Sequence, residues 1–121
     1  MKDDRPYLQD MVDTARRVKT RLSAVDRAEF DGDTDLQLAI TFLLQIIGEA
    51  ASRVTPTTRE RYPSLPWRQI ITMRHRLVHD YNRIHIDVVW KTATTRMDEV
   101  IEFVEPVIEN LNTERGPEIK P

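Results

Sequence analysis

The chain has 121 residues, 40% of them hydrophobic and 31% charged, with 18 Lys and Arg against 20 Asp and Glu for a net charge of −2. That length suits one domain with a single core. The absence of cysteine excludes disulfides and thiolate metal sites and is compatible with a cytoplasmic location. No apolar run approaches the ~20 residues of a membrane span, and the polar N-terminus does not read as a signal peptide.

Asp3 and Asp4 precede Pro6, which suits a first helical turn. Leu8, Met11, Val12, Ala15, Val18, Leu22 and Val25 follow at steps of three and four, predicting a first helix over residues 5–25. Phe30 is expected in a turn-like bridge ending at Asp31-Gly32-Asp33. Thr34 to Gln37 reads as a capping box opening the second helix. Its stripe of Leu36, Ile40, Leu43, Ile47, Ala50 and Val54 is widened by Phe42, Leu44 and Ile46, a breadth that predicts burial against a second chain as well as the core. Gly48 costs helix stability relative to alanine, so its expected use is close approach of a neighbouring backbone. Glu49 follows, and a structural ion pair explains it as well as a supporting role in chemistry does.

Thr55-Pro56 is expected to cap a short helical turn, and Pro66 to open a helix over residues 66–80. Asn82-Arg83 reads as a turn. Asp87 is the expected cap of a last long helix through Leu111, kinked by Pro106. The predicted fold is all-α: an antiparallel four-helix-type bundle over residues 1–111, with one or two short extra helices. Residues 112–121 form a frayed tail in this reading. There is no sustained period-two pattern.

Between Arg59 and His85 lie six arginines against Glu60 and Asp80, a local positive excess on an otherwise acidic chain. Such a segment fits either a phosphate-binding site or a solvated basic face. Within it Arg74, His79 and Tyr81 stand close together. Arg74 and His79 are five positions apart, ~140° around a regular helix, so one helical face cannot aim both at one small ligand. Either the helix ends near His79, or two chains bring their copies together. Imidazole titrates near neutrality and can take and return a proton, while a forked, permanent guanidinium suits a phosphorane. Taken singly, each residue also has a plain reading. A histidine near a helix C-terminus is favoured by the dipole, Tyr81 and Trp67 suit packing, and the pair His75 and His79 lacks a third metal ligand. No metal or cofactor is expected.

Arg74-x4-His79-x-Tyr81 resembles the RX4HXY motif of HepT-like toxins, within the wider HEPN group of all-helical domains. The likeness extends to Ile46-Ile-Gly-Glu-Ala50, Tyr62-Pro-x-Leu-Pro-Trp67, Met73-Arg74 and Val88-Val-Trp90, covering approximately residues 8 to 110. The resemblance implies a homodimeric, metal-independent endoribonuclease, acting on transfer or messenger RNA, whose two motif copies face each other across a cleft. It also implies a partner, an MNT-type nucleotidyltransferase antitoxin that transfers AMP to the motif tyrosine. Carried onto this chain, Arg74 and His79 are the expected catalytic residues and Tyr81 the expected AMPylation site. His75, Arg76 and Arg83 are the expected phosphate contacts, with Glu49 in support. His75 departs from the pattern, because HepT-like proteins most often carry asparagine there. A catalytically silent HEPN dimer that binds a nucleotide or a partner is the alternative.

Overall fold

Three long amphipathic helices form the frame, and the remaining elements are laid across it. The structure, a computed structural model, describes residues 2–78 and 83–115. In chain order the helices are α1 (Arg5–Leu22), α2 (Arg27–Asp31), α3 (Thr34–Arg53), α4 (Pro56–Arg61), α5 (Trp67–Ile71), α6 (Arg74–Leu77), α7 (Ile86–Thr95) and α8 (Met97–Arg115). Among the described residues there is no strand, only an isolated antiparallel bridge between Val78 and Ile84. The all-helical reading therefore holds.

Cross-links along α1 show how the long helices run. Lys2 donates to the Arg53 carbonyl at one end, and Arg17 and Arg21 border a groove shared with Ala39 and Leu43 at the other. Arg5 donates to Asn112 at 2.9 Å, Arg16 pairs with Glu105, and Lys19 pairs with Asp98. α3 and α8 are thus both antiparallel to α1. The core between them is built from the stripes that the sequence displays, with Leu8, Met11, Val12, Ile40, Leu44, Ile47 and Val104 fully buried. α7 completes the bundle through Val89 and Ala93.

A buried carboxylate fixes the start of α1. Asp4 accepts hydrogen bonds from the Thr55 amide at 3.0 Å, the Thr55 hydroxyl at 2.7 Å and the Thr58 hydroxyl at 2.6 Å. Burial alone would raise its pKa, but these bonds and the charge of Lys2 outweigh it and hold the carboxyl below its ordinary value. Thr55 also caps α4, as expected.

Several boundaries differ from the sequence reading. Phe30 lies in the short helix α2 rather than in a turn, because Asp26 and Glu29 form a reciprocal capping box that starts a helix there. The cap of α3 is Asp33, not Thr34; Gln37 turns away to donate to the Phe30 and Asp31 carbonyls at 2.9 and 3.0 Å. The helix expected over residues 66–80 divides at Thr72-Met73. There the Thr72 hydroxyl bonds the Arg68 carbonyl at 2.7 Å, a local competition that bends or ends helices.

The last helix divides as well, at Arg96, after a run of threonines in which Thr94 and Thr95 bond the carbonyls of Trp90 and Lys91. His85 holds the cap position expected of Asp87, which sits in the first turn and pairs with Arg27. α8 passes through Pro106 unbroken and continues to Arg115, four residues beyond Leu111.

Gly48 behaves as its type predicts. A Cβ placed there would lie 2.9 Å from the Ile70 carbonyl oxygen and 3.7 Å from that of Ile71. α5 therefore rests its backbone directly on α3. We expect Gly48→Ala to destabilise the fold by about 1–2 kcal/mol, the clash outweighing the ~1 kcal/mol of helix propensity that alanine adds. Thermal unfolding checks this, and an unchanged or raised Tm would contradict the close approach.

Candidate active site on the short helix α6

Ile70, which rests on Gly48, lies seven positions before Leu77, the last residue of α6, and the helix breaks once between them. Thr72 ends α5, and 3₁₀-type bonds from His75 to the Thr72 carbonyl (3.0 Å) and from Arg76 to the Met73 carbonyl (2.9 Å) start α6. Met73 and Leu77 are buried and hold α6 to the core. Arg74, His75 and Arg76 are all exposed. α6 is therefore a short basic ridge anchored by two apolar side chains.

The chain leaves this ridge in extended geometry at Val78, with φ −118° and ψ 122°. Val78 bridges to Ile84, and the His85 amide donates to the Leu77 carbonyl at 2.8 Å. These two contacts pin both ends of the segment between them. His79 and Tyr81 belong to that segment and lie outside the described residues, as do Asp80 and Asn82 of the expected helix end and turn. Arg83, at the returning end, is exposed. The structure thus brings Arg74, His75 and Arg76 onto one element and sets Arg83 next to the bridge that closes on it.

Arg74 and Arg76 do not share a face. Two positions are ~200° around a helix, so the guanidiniums leave opposite flanks of α6 with His75 between them. No ion pair joins Arg74, Arg76 or Arg83 to a carboxylate among the described residues. Glu49, by contrast, has a partner. It is exposed and pairs with Arg53 one turn along α3 at 3.1 Å, the structural reading of that residue. Such a surface pair is worth little to stability.

Of two further features, the first was anticipated in part by the breadth of the apolar face on α3 and the second was not legible in the sequence. One is an unpartnered apolar stripe on α3. Leu38 is 53% exposed and Phe42 62%, one turn apart, with Ile46 half-buried beyond them. Leu44, expected on this outer face, is instead fully buried in the core. The other is a small crevice of about 50 Å³ between α5 and the α7–α8 junction. Arg76 lines it, together with Gln69, Thr92 and the Arg96–Glu99 pair. A helical wheel of α3 would have suggested the first; nothing in the sequence spacing suggests the second, which joins residues far apart in the chain.

No helix among the described residues is long and apolar enough to cross a membrane. The family profile "Ribonuclease HepT-like" matches residues 11–107. Among curated proteins, "Probable ribonuclease HepT" of Thermococcus cleftensis is 30% identical over 87 residues, covering 72% of this chain and 79% of its own. "Putative RNase TTE0752" of Caldanaerobacter subterraneus subsp. tengcongensis is 28% identical over 109 residues, covering 90% of this chain and 97% of its own. No solved structure gives a significant match. With the matched span running from within α1 to the middle of α8, and so over most of the chain, the chain belongs to the HepT-like ribonuclease family.

Proposed function

We propose that this protein is a metal-independent endoribonuclease, the toxin of a toxin–antitoxin pair, working as a homodimer on RNA in the cytoplasm. The observation that carries the reading is the anchored ridge of α6. Arg74 projects from an element fixed by Met73 and Leu77, and the segment with His79 and Tyr81 begins one residue after α6 ends and is pinned at the Val78–Ile84 bridge.

His79 acts as general base and acid. It takes the proton of the ribose 2′-hydroxyl as that oxygen attacks the adjacent phosphorus, and a proton returns to the departing 5′-oxygen. Arg74 balances the charge that builds on the phosphorane oxygens, and the guanidinium fork makes it more suitable than lysine. Arg76, Arg83 and His75 contact neighbouring phosphates. The product is a 2′,3′-cyclic phosphate and a free 5′-hydroxyl. Because the motif supplies imidazole and guanidinium rather than paired carboxylates, the reaction proceeds without a metal. Transfer RNA and messenger RNA both fit this chemistry.

The homodimer is supported by the Leu38–Phe42 stripe, which the fold leaves uncovered on the helix that supports α5. Pairing two such stripes would join the chains through the helix on which α5 rests. A catalytically silent dimer that binds a nucleotide or a partner is the second reading, and His75 in place of the family's usual asparagine is what favours it.

Purified protein should cleave RNA in the presence of EDTA. His79→Ala should lose ~10²–10⁴-fold in rate, the usual worth of positioned acid–base help. Arg74→Lys should also be strongly impaired. Cleavage that persists in His79→Ala, or that EDTA abolishes, contradicts the mechanism.

Control rests on Tyr81. An MNT-type nucleotidyltransferase would transfer AMP to its hydroxyl, releasing pyrophosphate from ATP. The resulting phosphodiester adds a negative charge beside Arg74, Arg76 and Arg83 and occupies the place of the RNA backbone. The modified protein should stay folded and lose cleavage. Mass spectrometry after co-expression with such an enzyme should find one AMP on Tyr81, and Tyr81→Phe should escape neutralisation. An unmodified tyrosine, or equal neutralisation of Tyr81→Phe, rejects this control.

A further inference from the structure

The crevice beside α6 has the composition of a site for a flat, largely apolar body with hydrogen-bonding edges. Its walls are apolar, and two of them are methionines, Met73 and Met97, whose flexible thioethers adapt to an aromatic surface. Gln69, Thr92 and Arg76 also line it, and their amide, hydroxyl and guanidinium groups offer donors and acceptors. None of these three side chains has a hydrogen-bond or ion-pair partner among the described residues, whereas Arg96 in the same lining is held by Glu99 at 3.0 Å. Free polar groups converging on an apolar crevice are the usual form of a ligand site.

Its position relative to the ridge says what the ligand is. Arg76 stands on the crevice flank of α6 and Arg74 on the opposite one, with exposed His75 between. A single strand of RNA crossing α6 would meet a guanidinium on either side. With one phosphate on Arg74 and a following one on Arg76, the next base reaches the crevice mouth. We propose that this crevice is a nucleobase subsite, where one base of the RNA strand near the cleaved bond stacks against Met73 and Met97 and is read at its edge by Gln69 and Thr92. The subsite rests on the ribonuclease reading and adds sequence preference to it. Arg74 holds the reacting phosphate, Arg76 the neighbouring one, and the crevice selects the base.

Cleavage sites mapped by sequencing on a randomised oligoribonucleotide pool test this directly. Wild-type protein should favour one base at a fixed offset from the cut. Gln69→Ala should lower the ratio of favoured to disfavoured base at that offset by at least threefold. Gln69→Trp, which fills the mouth from an exposed position, should abolish it. A wild type without a preference, or the same preference in both variants, overturns the subsite. A second measurement stands apart from catalysis. Titration with the four ribonucleoside 5′-monophosphates should shift the methyl resonances of Met73 and Met97 in wild type and leave them still in Gln69→Trp. If the protein cuts no RNA but these shifts occur, the ribonuclease reading fails and the base site stands. If cleavage occurs without any methyl shift and without a base preference, the base site fails and the ribonuclease reading stands. If neither cleavage nor a shift is seen, both are rejected.

Discussion

The carbonyl of Ile70 sits where a side chain of residue 48 would begin, and only glycine permits it. This contact lays α5 flat against α3, and much of the site follows from it. Because α5 is seated there, its end at Thr72 falls at the edge of the core, and Met73 and Leu77 can anchor α6 beside it. The chain breaks at Thr72-Met73 on that edge, and the three residues of the basic ridge that follow are exposed. The Val78–Ile84 bridge then returns the chain to α7. Backbone packing and two apolar anchors therefore place the ridge, and among the described residues no charged contact holds it.

That arrangement divides the labour of a small domain. The inner stripes of α1, α3 and α8 supply the core, and the Asp4 clamp with its two threonines ties the first helix to the start of α4. The outer surface is mostly carboxylates and basic groups paired across helices, as at Arg16–Glu105, Lys19–Asp98 and Arg61–Glu114. The cations of α6 are among those that lack such partners in the described residues, as are Arg17, Arg21, Arg68 and Lys91. Leaving arginines uncompensated costs some self-repulsion and keeps them available to a polyanion. The apolar stripe of Leu38 and Phe42 is likewise uncovered.

Legibility in the sequence followed the range of the forces involved. The long helices were readable because 18 to 20 residues of three-four spacing outweigh any local ambiguity. Gly48 was readable because a glycine within an apolar helix has few other uses. The breaks at Thr72 and Arg96 were not, since a threonine hydroxyl that captures a carbonyl looks the same in sequence as one that faces water. The Asp33 cap was missed because Asp33 and Thr34 are both good caps, and packing chose between them. Leu44 was read as widening the outer face and lies in the core, because counting apolar residues ignores which flank of a helix its neighbours cover. The crevice was invisible because it joins α5, α6 and the α7–α8 junction. His79 and Tyr81 lie outside the described residues, and their reading comes from the motif.

The central claim is that two copies of this chain meet through the outer stripe of α3 and that cleavage needs both. Light scattering and RNA cleavage, measured together on wild type and Phe42→Glu, test it most directly. Pairing of the stripes predicts twice the chain mass for wild type at micromolar concentration, consistent with an interface above ~1,200 Å². It predicts a single-chain mass, intact helicity and at least a tenfold loss of cleavage for Phe42→Glu. A wild type that cleaves RNA at single-chain mass, or a Phe42→Glu variant that remains dimeric, would contradict the account.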